Sequence, residues 1–144
     1  MKKLILTLCL SSSLLACSTS QDQEAKITPL LNQSVADGCG CYLKSKKENK
    51  YYYWNDFGFV HYFGINGTEK IFRNCDKAGK SEKIGDQHTL ICIKQYVTAE
   101  ISFTVTSKCR PSDEACEFTN RSGTLTVKSN GKTNSINLIG GCGC

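Results

Sequence analysis

Two copies of one short motif stand out. Cys39-Gly40-Cys41 opens the patterned part of the chain, and Cys142-Gly143-Cys144 ends it. In an extended segment, residues i and i+2 point to the same face. Two such segments side by side would therefore gather four sulfurs. Three chemistries suit that arrangement: a pair of cross-strand disulfides, a tetrahedral thiolate site for zinc or another soft metal, or a strained, oxidising Cys-X-Cys redox dithiol. Zinc sites prefer longer spacing within each cysteine pair, and redox dithiols usually ride on a βαβ scaffold. The disulfide staple is therefore the leading expectation. Antiparallel neighbours would join Cys39 to Cys144 and Cys41 to Cys142. Parallel ones would join Cys39 to Cys142 and Cys41 to Cys144. Elsewhere, Cys109 and Cys116 bracket a short polar loop, Arg-Pro-Ser-Asp-Glu-Ala, whose closure is the simplest local bridge. That leaves Cys75 to pair with Cys92.

Other side chains offer less. His61 and His88 are the two histidines, and neither sits in a Gly-x-Ser-x-Gly or His-x-x-x-His context. A pairing with Asp56 or Asp86 is the sharpest catalytic reading they allow. A packed or surface histidine is the plainer one. No catalytic residue, no cofactor and no resident metal is expected, and the chain is not expected to be an enzyme. The run Tyr51-Tyr52-Tyr53-Trp54, followed by Phe57, Phe59, Tyr62 and Phe63, is half core by strand alternation. Its other half could form a stacking platform for a glycan or a protein partner. The Lys44–Lys50 stretch has turn composition and reads as a solvated hairpin tip. Contact with anionic lipid or polysaccharide is the sharper alternative.

What must position these residues is a sheet. From Cys39 onward the apolar period is two: Ile101, Phe103 and Val105 alternate with Ser102, Thr104 and Thr106, and Leu125 and Val127 alternate with Thr124, Thr126 and Lys128. Asn66-Gly67 and Asn130-Gly131 are strong hairpin dipeptides. Arg121-Ser122-Gly123 marks a further turn, and 77–83 a polar loop. Strands are expected at 40–45, 51–55, 58–65, 68–73, 88–96, 100–108, 116–119, 123–128 and 133–139. Phe57, Phe59, His61, Phe63 and Ile65 should share one face. Short, regularly spaced strands without intervening helices predict an all-β antiparallel sandwich or small barrel of about 7–9 strands, stapled by disulfides.

Ahead of the sheet lies a leader. Lys2-Lys3 and the apolar run Leu4–Leu10 describe a secretory signal peptide, too short to span a bilayer. Leu14-Leu15-Ala16-Cys17 closely resembles the lipobox of bacterial lipoproteins. That resemblance implies cleavage before Cys17, diacylglycerol on its thiol and an acyl chain, such as palmitate, on its new amine. It makes 1–16 a signal peptide, 17–37 a lipidated tether and 38–144 the β-domain. Several acyl chains anchor firmly where one is marginal. Ser18, standing where Asp would mark inner-membrane retention, favours the outer membrane. Within the tether, a helical turn starting at Thr28-Pro29 and ending by Gly38 is a further expectation. The order of Cys-Gly-Cys, Asn66-Gly67, the Cys109–Cys116 loop and Cys-Gly-Cys is also similar to small exported proteins of Gram-negative bacteria.

Export makes the eight remaining cysteines a disulfide framework. Without Lys2 and Lys3 the 18 basic residues fall to 16 against 13 acidic ones, a net +3. That is too mild for a nucleic-acid binder. The expected protein is a lipid-anchored component of the bacterial cell envelope with a non-catalytic binding or structural β-domain. Its partners would be the membrane and a protein or glycan. Two rivals remain: a thiol-redox or metal-handling protein using the Cys-Gly-Cys pairs, and a protein inhibitor of a hydrolase.

Overall fold

The computed structural model describes residues 24–34, 38–57, 59–78, 83–109 and 118–144. Among these residues nine strands form one sheet: β1 (Gly40–Lys44), β2 (Tyr51–Asn55), β3 (His61–Ile65), β4 (Thr68–Phe72), β5 (Cys75–Ala78), β6 (Gln87–Lys94), β7 (Val97–Ser107), β8 (Phe118–Ser129) and β9 (Lys132–Gly143). Their order is β4-β3-β2-β1-β9-β8-β7-β6-β5, and every paired neighbour is antiparallel.

This order is a simple meander in which the last strand returns to the first. Strand direction adds one point. Each hairpin reverses the chain, yet β9 runs antiparallel to β1, which an odd number of reversing strands does not allow. The count is restored because β4 passes into β5 through Arg73-Asn74 without a hairpin. The two act as one bent strand whose first half pairs with β3 and whose second half pairs with β6. The sheet is thus a nearly closed up-and-down barrel of eight staves, and its open seam lies between β4 and β6. The Lys94 Nζ donates to the Ile71 carbonyl at 3.0 Å across that seam.

Eight staves enclose a space that side chains fill. Phe63, Ile65, Phe72, Ala99, Ile101, Val105, Leu125, Val127 and Leu138 are buried there. Tight hairpins cluster at one end of the barrel. Asn66-Gly67 and Asn130-Gly131 take the left-handed conformation their turns demand, with φ of 54° and 69°, and of 50° and 73°. Gln95 does so as well, at 55°. It ends β6 two residues before its expected limit, since the sequence there carries no glycine to announce the turn. The opposite end holds longer connections and both Cys-Gly-Cys motifs.

Several expectations are corrected. The expected strands 116–119 and 123–128 merge, from Phe118 on, into one strand, β8, because Arg121 turns inward and is buried rather than exposed at a turn; residues 116 and 117 lie outside the described residues. Residues 75–78, of which 75 and 76 fell between the expected strand 68–73 and the expected polar loop 77–83 and the rest in that loop, form β5, which pairs with β6. Phe57 and Phe59 do not share the face of His61, Phe63 and Ile65: β3 starts at His61, and Phe59 is 88% exposed. In the β1–β2 ladder the register slips between Leu43 and Lys44, which leaves Tyr52 as an extra residue on β2. This bulge buries two successive tyrosines, Tyr52 and Tyr53, where alternation allowed one.

The largest correction concerns the tether. Residues 24–34 lie against the barrel. Ile27 bridges Ile65, Thr28 N–H donates to the Gly64 carbonyl at 3.0 Å, and Leu30 N–H donates to the Tyr51 carbonyl at 2.8 Å. Ala25 and Leu30 are 4% and 3% exposed. The strap occupies the gap where β2 bulges away from β3, so Thr28-Pro29 is extended rather than helical. A Cβ on Gly64 would lie 2.0 Å from the Thr28 carbonyl oxygen, which explains glycine in the middle of β3.

Candidate functional site

The cysteines are placed first by the ladder. Cys41 stands directly opposite Cys142 in the β1–β9 pair. Disulfides join Cys41 to Cys142 and Cys39 to Cys144, with Cα atoms 4.0 and 4.1 Å apart. That separation is near the about 4.5 Å of a pair that shares no backbone hydrogen bonds, where side chains approach most closely. Of the two pairings open from sequence, the antiparallel one is present. Cys75, the first residue of β5, faces Cys92 and is bonded to it. This third bridge fixes the chain as it leaves the bend after β4. Cys109 is also disulfide-bonded. Its expected partner, Cys116, lies outside the described residues, as do Cys9 and Cys17.

His61 sits beside the third bridge. Its ring and the sulfurs of Cys75 and Cys92 offer ligand-type atoms within 4.8 Å of one another. The two sulfurs are bonded to each other, so neither is a thiolate, and the cluster as it stands is a packed staple. The Nδ1 of His61 lies 2.9 Å from the Tyr53 hydroxyl. Burial lowers the imidazole pKa, and the Asp56 carboxylate pulls it partly back. Burial raises that of Tyr53, with Arg121 opposing. Tyr53 therefore stays a neutral phenol against a largely neutral imidazole.

His88 lies farther round the barrel, 3% exposed and stacked on Phe103 with ring centroids 5.2 Å apart. The Arg121 guanidinium lies 4.6 Å from the same ring. Neither ring nitrogen of His88 has a hydrogen-bond partner among the described residues. A buried polar group without a partner costs about 1–3 kcal/mol, and such groups in folded proteins often await a ligand or an ordered water. Sequence reasoning named His88 but gave it no task, because its emptiness depends on which residues face it from β7 and β8.

The outer wall over this region is concave. One hollow of about 590 Å³ is lined by Thr89, Ser102, Thr104, Thr124 and Asn137, with Lys46 at its edge, while the His88 ring points the other way, into the barrel. The Thr124 hydroxyl donates to the Asn137 Oδ1 at 2.9 Å. A second hollow of about 510 Å³ shares Ser122 and Ile139 with the first and is lined by Tyr42, Tyr51 and Phe118. Tyr42 meets Tyr51 edge-on at 5.4 Å and Phe118 at 5.3 Å. The two hollows form one groove with rings at one end and hydroxyl and amide groups at the other. The aromatic platform suggested by residues 51–63 is thus only partly where the sequence put it. Tyr51 belongs to it, but Tyr42 and Phe118 complete it from β1 and β8. By contrast the interior space beside Arg121 amounts to about 20 Å³.

No helix among the described residues is long and apolar enough to cross a membrane. Comparison with protein-family models, with curated proteins and with solved structures finds nothing that matches this chain.

Proposed function

We propose that this chain is a lipid-anchored protein of the bacterial cell envelope, attached through Cys17 to the outer membrane. Its stapled barrel is a non-catalytic binding module, and a glycan chain is the ligand class that suits the outer groove. The carrying observation is the groove itself, which sets the rings of Tyr42, Tyr51 and Phe118 beside the hydroxyl of Thr124 and the amide of Asn137 on the outer wall. Sugars present apolar ring faces to aromatic side chains and hydroxyls to polar ones. The barrel's own interior is packed with side chains, which favours the outer wall over the lumen. The pairing of Cys39, Cys41, Cys142 and Cys144 with one another favours a staple over the thiol-redox or metal-handling rival.

Two measurements test the reading. Mass spectrometry of the mature N-terminus should find acylated Cys17, and unmodified Cys17 would remove the anchor. Titration with an N-acetylglucosamine oligosaccharide should show binding that Tyr42→Ala and Asn137→Ala each weaken about tenfold. Binding unchanged in both variants, or none to the parent protein, would remove the groove.

A further inference from the structure

The strap decides which way the barrel faces. Its first described residue, Glu24, lies at the hairpin end, where the Asn134 side-chain amide donates to its Oε1 at 3.1 Å and to the Ala25 carbonyl at 2.9 Å. Seven residue steps separate Glu24 from Cys17. Whatever their conformation, seven steps reach no more than about 25 Å. On the reading that Cys17 carries the lipid, the hairpin end is therefore held at the membrane surface and the stapled end points away.

The hairpin end is built for an anionic surface. Between the β3–β4 and β6–β7 hairpins opens a cleft of about 490 Å³. Its floor is apolar, from Ala25, Ile65, Phe72 and Val97, and its rim carries Lys70, Lys94 and the 67% exposed Tyr96. Lys26, Lys46, Lys47, Lys50 and Lys132 stand around the same end. Three acids stand among these lysines, each with a contact inside the protein, and the lysines outnumber them. Glu24 pairs with Lys132 at 3.7 Å, Glu48 accepts the Tyr52 hydroxyl at 2.7 Å, and Glu69 accepts Asn32 N–H at 2.8 Å. Lysines with an aromatic ring beside an apolar floor match a phosphate headgroup and the first carbons below it.

We propose that the hairpin end is a membrane-docking surface, with the Lys70–Lys94 cleft seating the headgroup of an anionic phospholipid. The barrel then stands end-on, and its outer groove faces sideways along the membrane.

The test uses the mature lipidated protein in vesicles of phosphatidylcholine alone or with phosphatidylglycerol. Acylation of surface amines, read by mass spectrometry, should slow about tenfold at Lys70 and Lys94 in the anionic vesicles. High salt should reverse that protection, and Lys83 and Lys108 at the other end should react alike in both compositions. Equal reactivity of Lys70 and Lys94 in both would overturn the proposal, as would protection of Lys83 and Lys108 instead. A second measurement separates this surface from the anchor. Unlipidated Cys17→Ser protein should cosediment with the anionic vesicles, and Lys70→Gln with Lys94→Gln should weaken that binding about twentyfold. Unlipidated protein that ignores anionic vesicles would overturn the cleft while leaving the lipid anchor intact. An unmodified Cys17 with the cleft still binding would do the reverse.

Discussion

The two ends of the barrel are closed by different means. At the stapled end, covalent bonds hold β1 to β9, and the loops between other strands are long. At the hairpin end, two-residue turns and the strap 24–34 do the same work with backbone hydrogen bonds and buried apolar side chains. The difference follows from chain order. The stapled end is where a returning last strand must find the first across about 100 residues, a contact that costs the most loop entropy. The hairpin end joins strands already adjacent in sequence, so local turn chemistry suffices.

The sharpest test of this contrast removes the covalent half. Replacing Cys39, Cys41, Cys142 and Cys144 together should cost about 6–7 kcal/mol in denaturant unfolding, the bridges spanning 105 and 101 residues, with most of the loss from opening the long loop and the rest from the small ring inside it. Replacing only Cys41 and Cys142 should cost about 2 kcal/mol, because the outer bridge still closes the long loop and the inner one then closes a small ring. Equal losses in both variants would mean that the inner bridge alone matters, through its packing rather than through chain restriction.

The non-covalent half is tested by Leu30→Ala. Leu30 is buried although it lies in a segment whose composition reads as linker. If the strap is part of the folded unit, the variant should lose about 2–3 kcal/mol in the same unfolding assay, in one cooperative transition. A change within about 0.5 kcal/mol would return residues 24–34 to the role of a tether.

What could be read from sequence divides along the same line. The alternating runs in β7 and β9, and the Asn-Gly turns, follow from two local rules, period two and positive φ, and they are where those rules placed them. The strap was misjudged because Ala25, Ile27 and Leu30 carry too few apolar residues to show a period, and their burial depends on a bulge in β2. That bulge also hid the fate of the tyrosine run, since one extra residue shifts every later side chain to the other face. Arg121-Ser122-Gly123 misled because an arginine in a strand usually faces water, and here it lies on Phe103 inside the barrel. The outer groove was legible only in part: its rings come from β1, β2 and β8, which the meander brings together but no local pattern announces. The disulfide pairing needed one global fact, the antiparallel return of β9 to β1.

The smallest effect expected is a difference in acid response, and it belongs to the stapled end alone. His61, the first residue of β3, is half-buried against Tyr53 and the Cys75–Cys92 bridge, with its pKa lowered by burial. At the hairpin end the buried phenol of Tyr52 is pushed up to about 12 by burial and by the Glu48 carboxylate it donates to, so it stays neutral through mild acid. A histidine whose folded pKa lies below its ordinary 6.5 takes up a proton more readily when unfolded. Stability is therefore unaffected well above pH 6.5, falls as pH drops through that value, and levels off once the folded imidazole is protonated too. Thermal melts from pH 8 to pH 5 should show this loss in the parent protein. His61→Gln, which keeps a hydrogen-bonding partner for Tyr53 but cannot titrate, should flatten it. Asp56→Asn should steepen it, because a carboxylate that favours the charged ring is gone. A parent protein that gains stability below pH 6.5 would mean that Asp56 outweighs burial at this site. The stapled end would then be acid-strengthened rather than acid-weakened.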